Sequence, residues 1–246
     1  MDKSASAPSL RFSIPSWSGW TPDPHILGRP ATTGNNIRCS DQPDASSVPP
    51  LLRRRLNPMG RACISEMLRH LAPRENIPIV FTSRHGDIER TLKVLTGLAQ
   101  DQPTSPMDFS LAVHNAIAGV LSIHYGITAN ISSVAASEGQ VVPTLLEALG
   151  LLSPSCPRVL CLICDVTLPA IYRKPGDAGS PTFAACFTVA TAGSNSLQLV
   201  HEHAAEPGPL RHDSPLDFID FLASTASTFH TRHNASHWRI HKPAQP

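Results

Sequence analysis

Four groups of residues in this chain of 246 carry side chains fit for chemistry. The first is Glu138, within SSVAASEGQVVPTLLEALGLL, residues 132–152. Small residues end a strand, Glu138-Gly139 makes a tight turn, and an apolar helix follows. Many α/β enzymes display a nucleophile on such an elbow. Here the elbow offers a carboxylate. At a helix N-terminus a Glu complements the dipole and caps free N–H groups, and burial could also tune it into a general base. The second group is Arg84, His85 and Asp87 in TSRHGD, on a strand-to-helix loop where functional side chains gather. A His-Asp relay would need a serine, and Ser83 is too close in sequence to complete a triad. A loop hydrogen-bond network is the better reading.

The third group is Cys161 and Cys164, a CxxC inside the apolar run RVLCLICD. Zinc would need a second ligand pair on a turn, and none has suitable spacing. Buried core thiols fit better, and six cysteines in a chain this long do not make a disulfide framework. The fourth is His230, His233, His237 and His241, whose three- and four-residue steps would stack them on a helix face. A polar terminal segment does not give the rigid second shell that zinc needs, so no metal and no cofactor are expected.

The bulk composition narrows the field. A net charge of +1 speaks against a polyanion-binding surface. Aromatics at 5% remove base-stacking platforms, so no nucleic acid is expected. No apolar run reaches the roughly 18 residues of a membrane helix, and MDKSASAPSLRF lacks the apolar stretch of a signal peptide. The expectation is a cytoplasmic protein with no membrane contact.

The elements that must position these groups alternate. Asn57-Pro58 starts a helix with Ile64, Met67, Leu68 and Leu71 on its buried face. IPIVFTS, residues 77–83, is a buried strand. A helix from about Asp87 turns Ile88, Leu92, Leu95 and Leu98 inward. Ser105-Pro106 starts another, with Phe109, Val113, Ile117 and Val120 on one side and His114-Asn115 as a buried polar pair in its middle. ITANISSVA and RVLCLICDV are further strands. TFAACFTVAT and NSLQLVHEH read as a hairpin closed by Ala192-Gly193-Ser194, and PLDFIDFLASTAST as a last helix running into the histidine-rich tail. This pattern predicts an α/β fold, a mixed and mostly parallel sheet with helices on both faces. It is a single domain over 1–246, with a core at 10–200 and tails at 1–9 and 231–246.

Within SPMDFSLAVHNAIAGVLSIHYGITANISSVAAS, the ordered set Ser105-Pro106, Phe109, Asn115, Ala118-Gly119, Ser122-Ile123 and Tyr125-Gly126 resembles the β-ketoacyl synthase family, in the N-terminal half of its thiolase-like fold. More narrowly, FSIPSWSGW, PPLLRRRLNPMGR, VFTSRHGD and SxxVHNAIAG look like a short subgroup, the chain length factors that accompany aryl polyene and type II polyketide-like ketosynthases. The resemblance covers roughly residues 10–200. In condensing enzymes the elbow carries a cysteine whose thiolate holds the acyl chain. Counting from Tyr125-Gly126, its position here is Glu138, and no cysteine occurs between Ala135 and Gly139. At roughly half the family's usual length, the chain is also expected to lack the histidine pair that the family takes from its C-terminal half.

The resemblance therefore implies a thiolase-like half-fold and a non-catalytic subunit. Its partner would be a full-length β-ketoacyl synthase in a heterodimer, with acyl carrier protein engaged indirectly. By the same resemblance, the helix starting at Ser105-Pro106 lies at the dimer interface, and Met107, Phe109, Leu111 and His114 are candidates to shape an acyl tunnel. A half-fold should also leave an apolar face that demands a partner. Two rival readings stand beside this one: a stand-alone acyl-thioester decarboxylase or hydrolase using Glu138 or His85, and a scaffold subunit that only solubilises its partner.

Overall fold

The computed structural model describes residues 9–24, 36–136, 139–174, 181–193, 196–202, 214–233 and 236–243. In chain order the elements are β1 (Ser9–Phe12), β2 (Trp17–Thr21), β3 (Ile37–Cys39), α1 (Pro50–Arg53), α2 (Pro58–Met67), β4 (Ile79–Thr82), α3 (Ile88–Ala99), α4 (Pro106–Ser110) and α5 (Ala116–Tyr125). Then come β5 (Ile131–Val134), α6 (Val141–Leu151), β6 (Arg158–Asp165), β7 (Phe183–Ala190), β8 (Leu197–Glu202), α7 (Pro215–Ala223), β9 (Thr228–His233) and β10 (Ser236–His241).

Two sheets organise them. The larger runs β3-β2-β7-β6-β4-β5. In it β4 is parallel to both β5 and β6, while β7 is antiparallel to β6 and β2, so the sheet is mixed. The smaller is an antiparallel sheet of order β1-β8-β10-β9. Strand β6 shows why RVLCLICD is apolar at nearly every position. Val159, Cys161 and Ile163 enter the core against α6, α7 and the smaller sheet, whereas Leu160, Leu162 and Cys164 enter the one against α2 and α5. A strand covered on both faces has no polar side. The CxxC thiols thus point to opposite faces, and burial pushes both up in pKa.

Helix starts follow local chemistry. The Asn57 side chain accepts from the Gly60 N–H at 2.7 Å, with Pro58 opening α2. Ser105 caps α4, and Ser214 with Asp217 forms a capping box on α7.

The structure corrects six expectations. Strands β7 and β8 are not a hairpin: β7 is paired on both sides within the larger sheet, and the chain passes at Gly193 to the smaller one, where Leu197 and Leu199 alternate inward. Ser194 and Asn195 of that connection lie outside the described residues. The single helix from Ser105 is two helices, broken at 111–115. There Gly86, at a φ of 60°, packs on the His114 backbone so closely that a Cβ would meet His114 Cα at 2.9 Å. Asn115 is exposed, not half of a buried pair. Leu95 and Leu98 of α3 are 50% and 53% exposed, and Val94 is its buried residue. Residues 231–233 and 236–243 are no tail, because β10 sits between β8 and β9 and buries Ile240 completely. The final helix ends at Ala223, and the histidines lie on the strands β9 and β10, where Phe229, Thr231 and Ile240 face inward and set the period of two.

Candidate functional site

Strands β5, β4 and β6 run parallel, so their C-terminal ends reach the same edge of the sheet, where ligands gather in open α/β sheets. Asp165 ends β6 there and is 2% exposed. Its Oδ1 accepts from the Ser83 hydroxyl at 3.0 Å and the Arg84 N–H at 2.8 Å. Its Oδ2 accepts from the Gln140 amide at 3.0 Å and lies 3.6 Å from Arg84 Nε. Burial raises its pKa, opposed by the Arg84 N–H, the Ser83 hydroxyl and the Arg84 charge. One carboxylate thus ties the ends of β4 and β6 to the start of α6. His114 joins the network through Nε2, 2.7 Å from the Ser83 carbonyl, which makes that nitrogen the donor.

The elbow lies beside this network. Glu138 is outside the described residues. Gly139 has a φ of 58°, and a Cβ on it would overlap the carbonyl oxygen of Arg232 in β9. Glycine is required twice over, for the left-handed backbone and for the close approach of a second chain segment. The smaller sheet therefore packs directly onto the elbow.

The TSRHGD residues divide among different tasks. Ser83 and Arg84 serve Asp165. His85 is exposed. Asp87 caps α3, accepting from the Arg90 N–H at 3.1 Å and from Arg90 Nε at 3.0 Å. No Ser-His-Asp relay is assembled from them. Arg90 is a hub: Nη1 reaches Asp108 of α4 at 2.9 Å, and Nη2 donates to the Arg55 carbonyl at 3.1 Å. A shallow pocket beneath it is lined by Arg55, Asn57, Asp87, Leu111, Val113 and His114.

The elements that follow expose apolar side chains. Of the ten large hydrophobic residues exposed among the described residues, six fall between Leu95 and Ile123. Met107 is 51%, Phe109 64%, Val113 50% and Ile123 85% exposed. Leu111 and His114 are half-buried beside them. The next strand, β5, is the edge of the larger sheet and is only partly buried. Exposed apolar side chains are thus concentrated in this part of the chain.

A third cluster gave no signal in the sequence. Glu66, fully buried on α2, accepts from Ser18 at 2.5 Å and pairs with Arg38. The Ser18 hydroxyl also lies 2.7 Å from His70 Nε2, and His70 Nδ1 lies 2.9 Å from the Ser16 hydroxyl. Serine, histidine and carboxylate are adjacent, yet Ser18 is 2% exposed and its hydroxyl already engages both neighbours. The cluster bolts α2 to β2. Burial, with Arg69 and Arg158 nearby, lowers the His70 pKa from 6.5 to about 4.

Comparison with known proteins decides the family. Residues 17–240 match the model of the β-ketoacyl synthase N-terminal domain. The chain belongs to that family. The match runs through β9 and most of β10, so the C-terminal hairpin is part of the family domain. Among solved structures, a chain from the complex of a ketosynthase (ApeO) with its chain length factor (ApeC) from Xenorhabdus doucetiae is 26% identical, with a TM-score of 0.71. The likeness covers 94% of this chain and 99% of that one. A 3-oxoacyl-(acyl-carrier protein) synthase from Burkholderia xenovorans LB400 is 14% identical over 80% of this chain and 54% of its own, with a TM-score of 0.45. A type II polyketide ketosynthase complex with its acyl carrier protein is 18% identical over 62% and 52%, with a TM-score of 0.47. No curated protein matches. Among the described residues no cluster of His, Cys, Asp or Glu is arranged to hold a metal ion, and no helix is long and apolar enough to cross a membrane.

Proposed function

We propose that this chain is a non-catalytic β-ketoacyl synthase-like subunit, a chain length factor, that pairs with a full-length β-ketoacyl synthase and limits the growth of its acyl chain. The observation that carries the reading is the nearly end-to-end likeness to a chain of the Xenorhabdus ketosynthase–chain length factor complex. Two features support it. The elbow window has no cysteine between Ala135 and Gly139, so no thiolate stands there to hold an acyl group. The face on α3, α4 and α5 is apolar and uncovered, as one half of an obligate interface would be. By resemblance, Met107, Phe109, Leu111 and His114 would help to shape the acyl tunnel of the pair, and the exposure of Met107 and Phe109 supports that reading. Acyl carrier protein would then be engaged through the partner. The acyl product is of the aryl polyene type by resemblance. All six cysteines are free thiols, the state of a reducing compartment, and we place the pair in the cytoplasm.

Co-expression with full-length β-ketoacyl synthases tests the reading. One of them is expected to co-purify with this chain in a stoichiometric complex that elongates acyl thioesters, while the lone chain elongates none. Phe109→Asp is expected to abolish co-purification and leave the thermal melt of the lone chain unchanged. Condensation by the chain alone would overturn the proposal. Trp at position 107 in place of Met is expected to shorten the product of the intact pair, and an unchanged product would reduce this chain to a scaffold.

A further inference from the structure

Three consecutive arginines, Arg53, Arg54 and Arg55, end α1 and begin the loop to α2. Arg54 and Arg55 are exposed, Arg53 is half-buried, and Leu51, a turn earlier, is 67% exposed. Among the described residues none of the three has a carboxylate partner. The carboxylates of the neighbouring helices, Asp87 and Asp108, are already engaged by Arg90 and Lys93. The backbone under the triplet is nevertheless held firmly. Arg61 Nε donates to the Arg53 and Leu56 carbonyls at 3.0 and 3.1 Å, and Arg90 holds the Arg55 carbonyl. Three like charges side by side repel one another, and a chain of net charge +1 has no general need of them. Their position is what gives them a use. Arg55 lines the same pocket as Leu111 and Val113, and Arg90 links it to Asp108 of α4, the helix that carries Met107 and Phe109. Arg55, the last of the triplet, thus borders the apolar residues Leu111 and Val113.

We propose that Arg53–Arg55 is the electrostatic rim of the partner face and meets an acidic patch on the full-length ketosynthase. This rests on the pairing reading above and adds how the partner is found. Rim charges of this kind act through encounter: they steer association and reject like-charged partners, and they add little to the lifetime of the complex. The apolar face supplies the affinity, and the triplet supplies speed and choice.

The test uses a full-length β-ketoacyl synthase that co-purifies with the wild-type chain. If none does, the pairing reading itself falls. With such a partner in hand, stopped-flow association is compared for the wild type, the triple variant Arg53→Glu/Arg54→Glu/Arg55→Glu and the triple lysine variant. Arg11→Glu serves as the control. It lies on β1 of the smaller sheet, whose core is on the opposite side of the larger sheet from that of α1. At about 50 mM ionic strength the triple reversal is expected to associate at least ~10-fold more slowly. The difference should vanish near ~1 M salt, and the dissociation rate should stay within about threefold. The lysine variant and Arg11→Glu should follow the wild type, and equal thermal melts will show that all variants fold. A triple reversal as fast as Arg11→Glu, with the same salt dependence, would overturn the proposal. So would an effect confined to dissociation.

Discussion

Gly139 and Gly126 share a backbone conformation but not an environment, which makes them a matched pair for experiment. Gly126 has a φ of 65° with nothing near its missing Cβ, whereas Gly139 faces the Arg232 carbonyl. Gly126→Ala should therefore destabilise by about 1 kcal/mol, the strain of a left-handed alanine. Gly139→Ala should lose ~2 kcal/mol or more, since β9 must also move. Denaturant melts of the two variants separate these effects. Asp165 allows a similar contrast. Asp165→Ala strands the Ser83, Arg84 and Gln140 donors and should cost about 3 kcal/mol or more. In Asp165→Asn one oxygen still serves Ser83 and Arg84. The new amide can donate to Gln140 Oε1, which has no partner now, once the Gln140 side chain turns over. That variant should lose only ~1 kcal/mol. His70 sets a pH dependence. Its folded pKa of about 4 lies below the ordinary 6.5, so in acid the unfolded chain takes up a proton before the folded one does. Stability contributed by neutral His70 is complete above pH 6.5 and is lost as pH falls toward 4. Urea midpoints should drop across that window in the wild type and flatten in His70→Gln.

At the scale of elements, what could be read from the sequence was local. The caps Asn57 and Ser105 act within one turn, and each appears where the sequence places it; Ser214 caps α7 in the same local way. Their energetic weight differs, however. Ser214→Ala should destabilise by ~1 kcal/mol, because α7 buries Leu216, Phe218 and Ile219 behind that cap. Ser105→Ala should change the melting temperature little, because α4 is a short helix with no buried residue, held by Arg90 and Lys93 at Asp108. What could not be read was non-local. Strand pairing is chosen by the whole core, so β7 and β8, neighbours in sequence, end in different sheets. The histidine steps near the C-terminus suggested a helix, but the residues that set the period there are Phe229, Thr231 and Ile240. The same limit hid half of the site. Glu138 and the TSRHGD loop were visible as residue types. Asp165, which connects that loop to Gln140 beside the elbow, read only as the end of a strand. A buried carboxylate closing an otherwise apolar strand is the signal that could have found it, because such a group must be paired.

For the molecule as a whole, the misplaced inward face of α3 is the most informative difference. Periodicity correctly found an apolar stripe containing Leu95 and Leu98. It could not say whether the cover comes from this chain or from another, because both present the same sequence pattern. In the structure the stripe is left open together with Met107, Phe109 and Val113. The folded chain therefore carries apolar side chains as exposed surface, and water drives such surface toward any apolar partner. In the absence of a ketosynthase, the available partner is a second copy. Sedimentation of the purified chain should show self-association that grows with concentration. Leu98→Glu and Phe109→Asp should each abolish it without lowering the melting temperature, because neither side chain belongs to a buried core cluster. Adding the cognate ketosynthase should likewise dissolve the self-associated species into heterodimer. A chain that stays monomeric at high concentration would show that this face is not sticky enough to act as an interface, and the pairing argument would lose its physical basis.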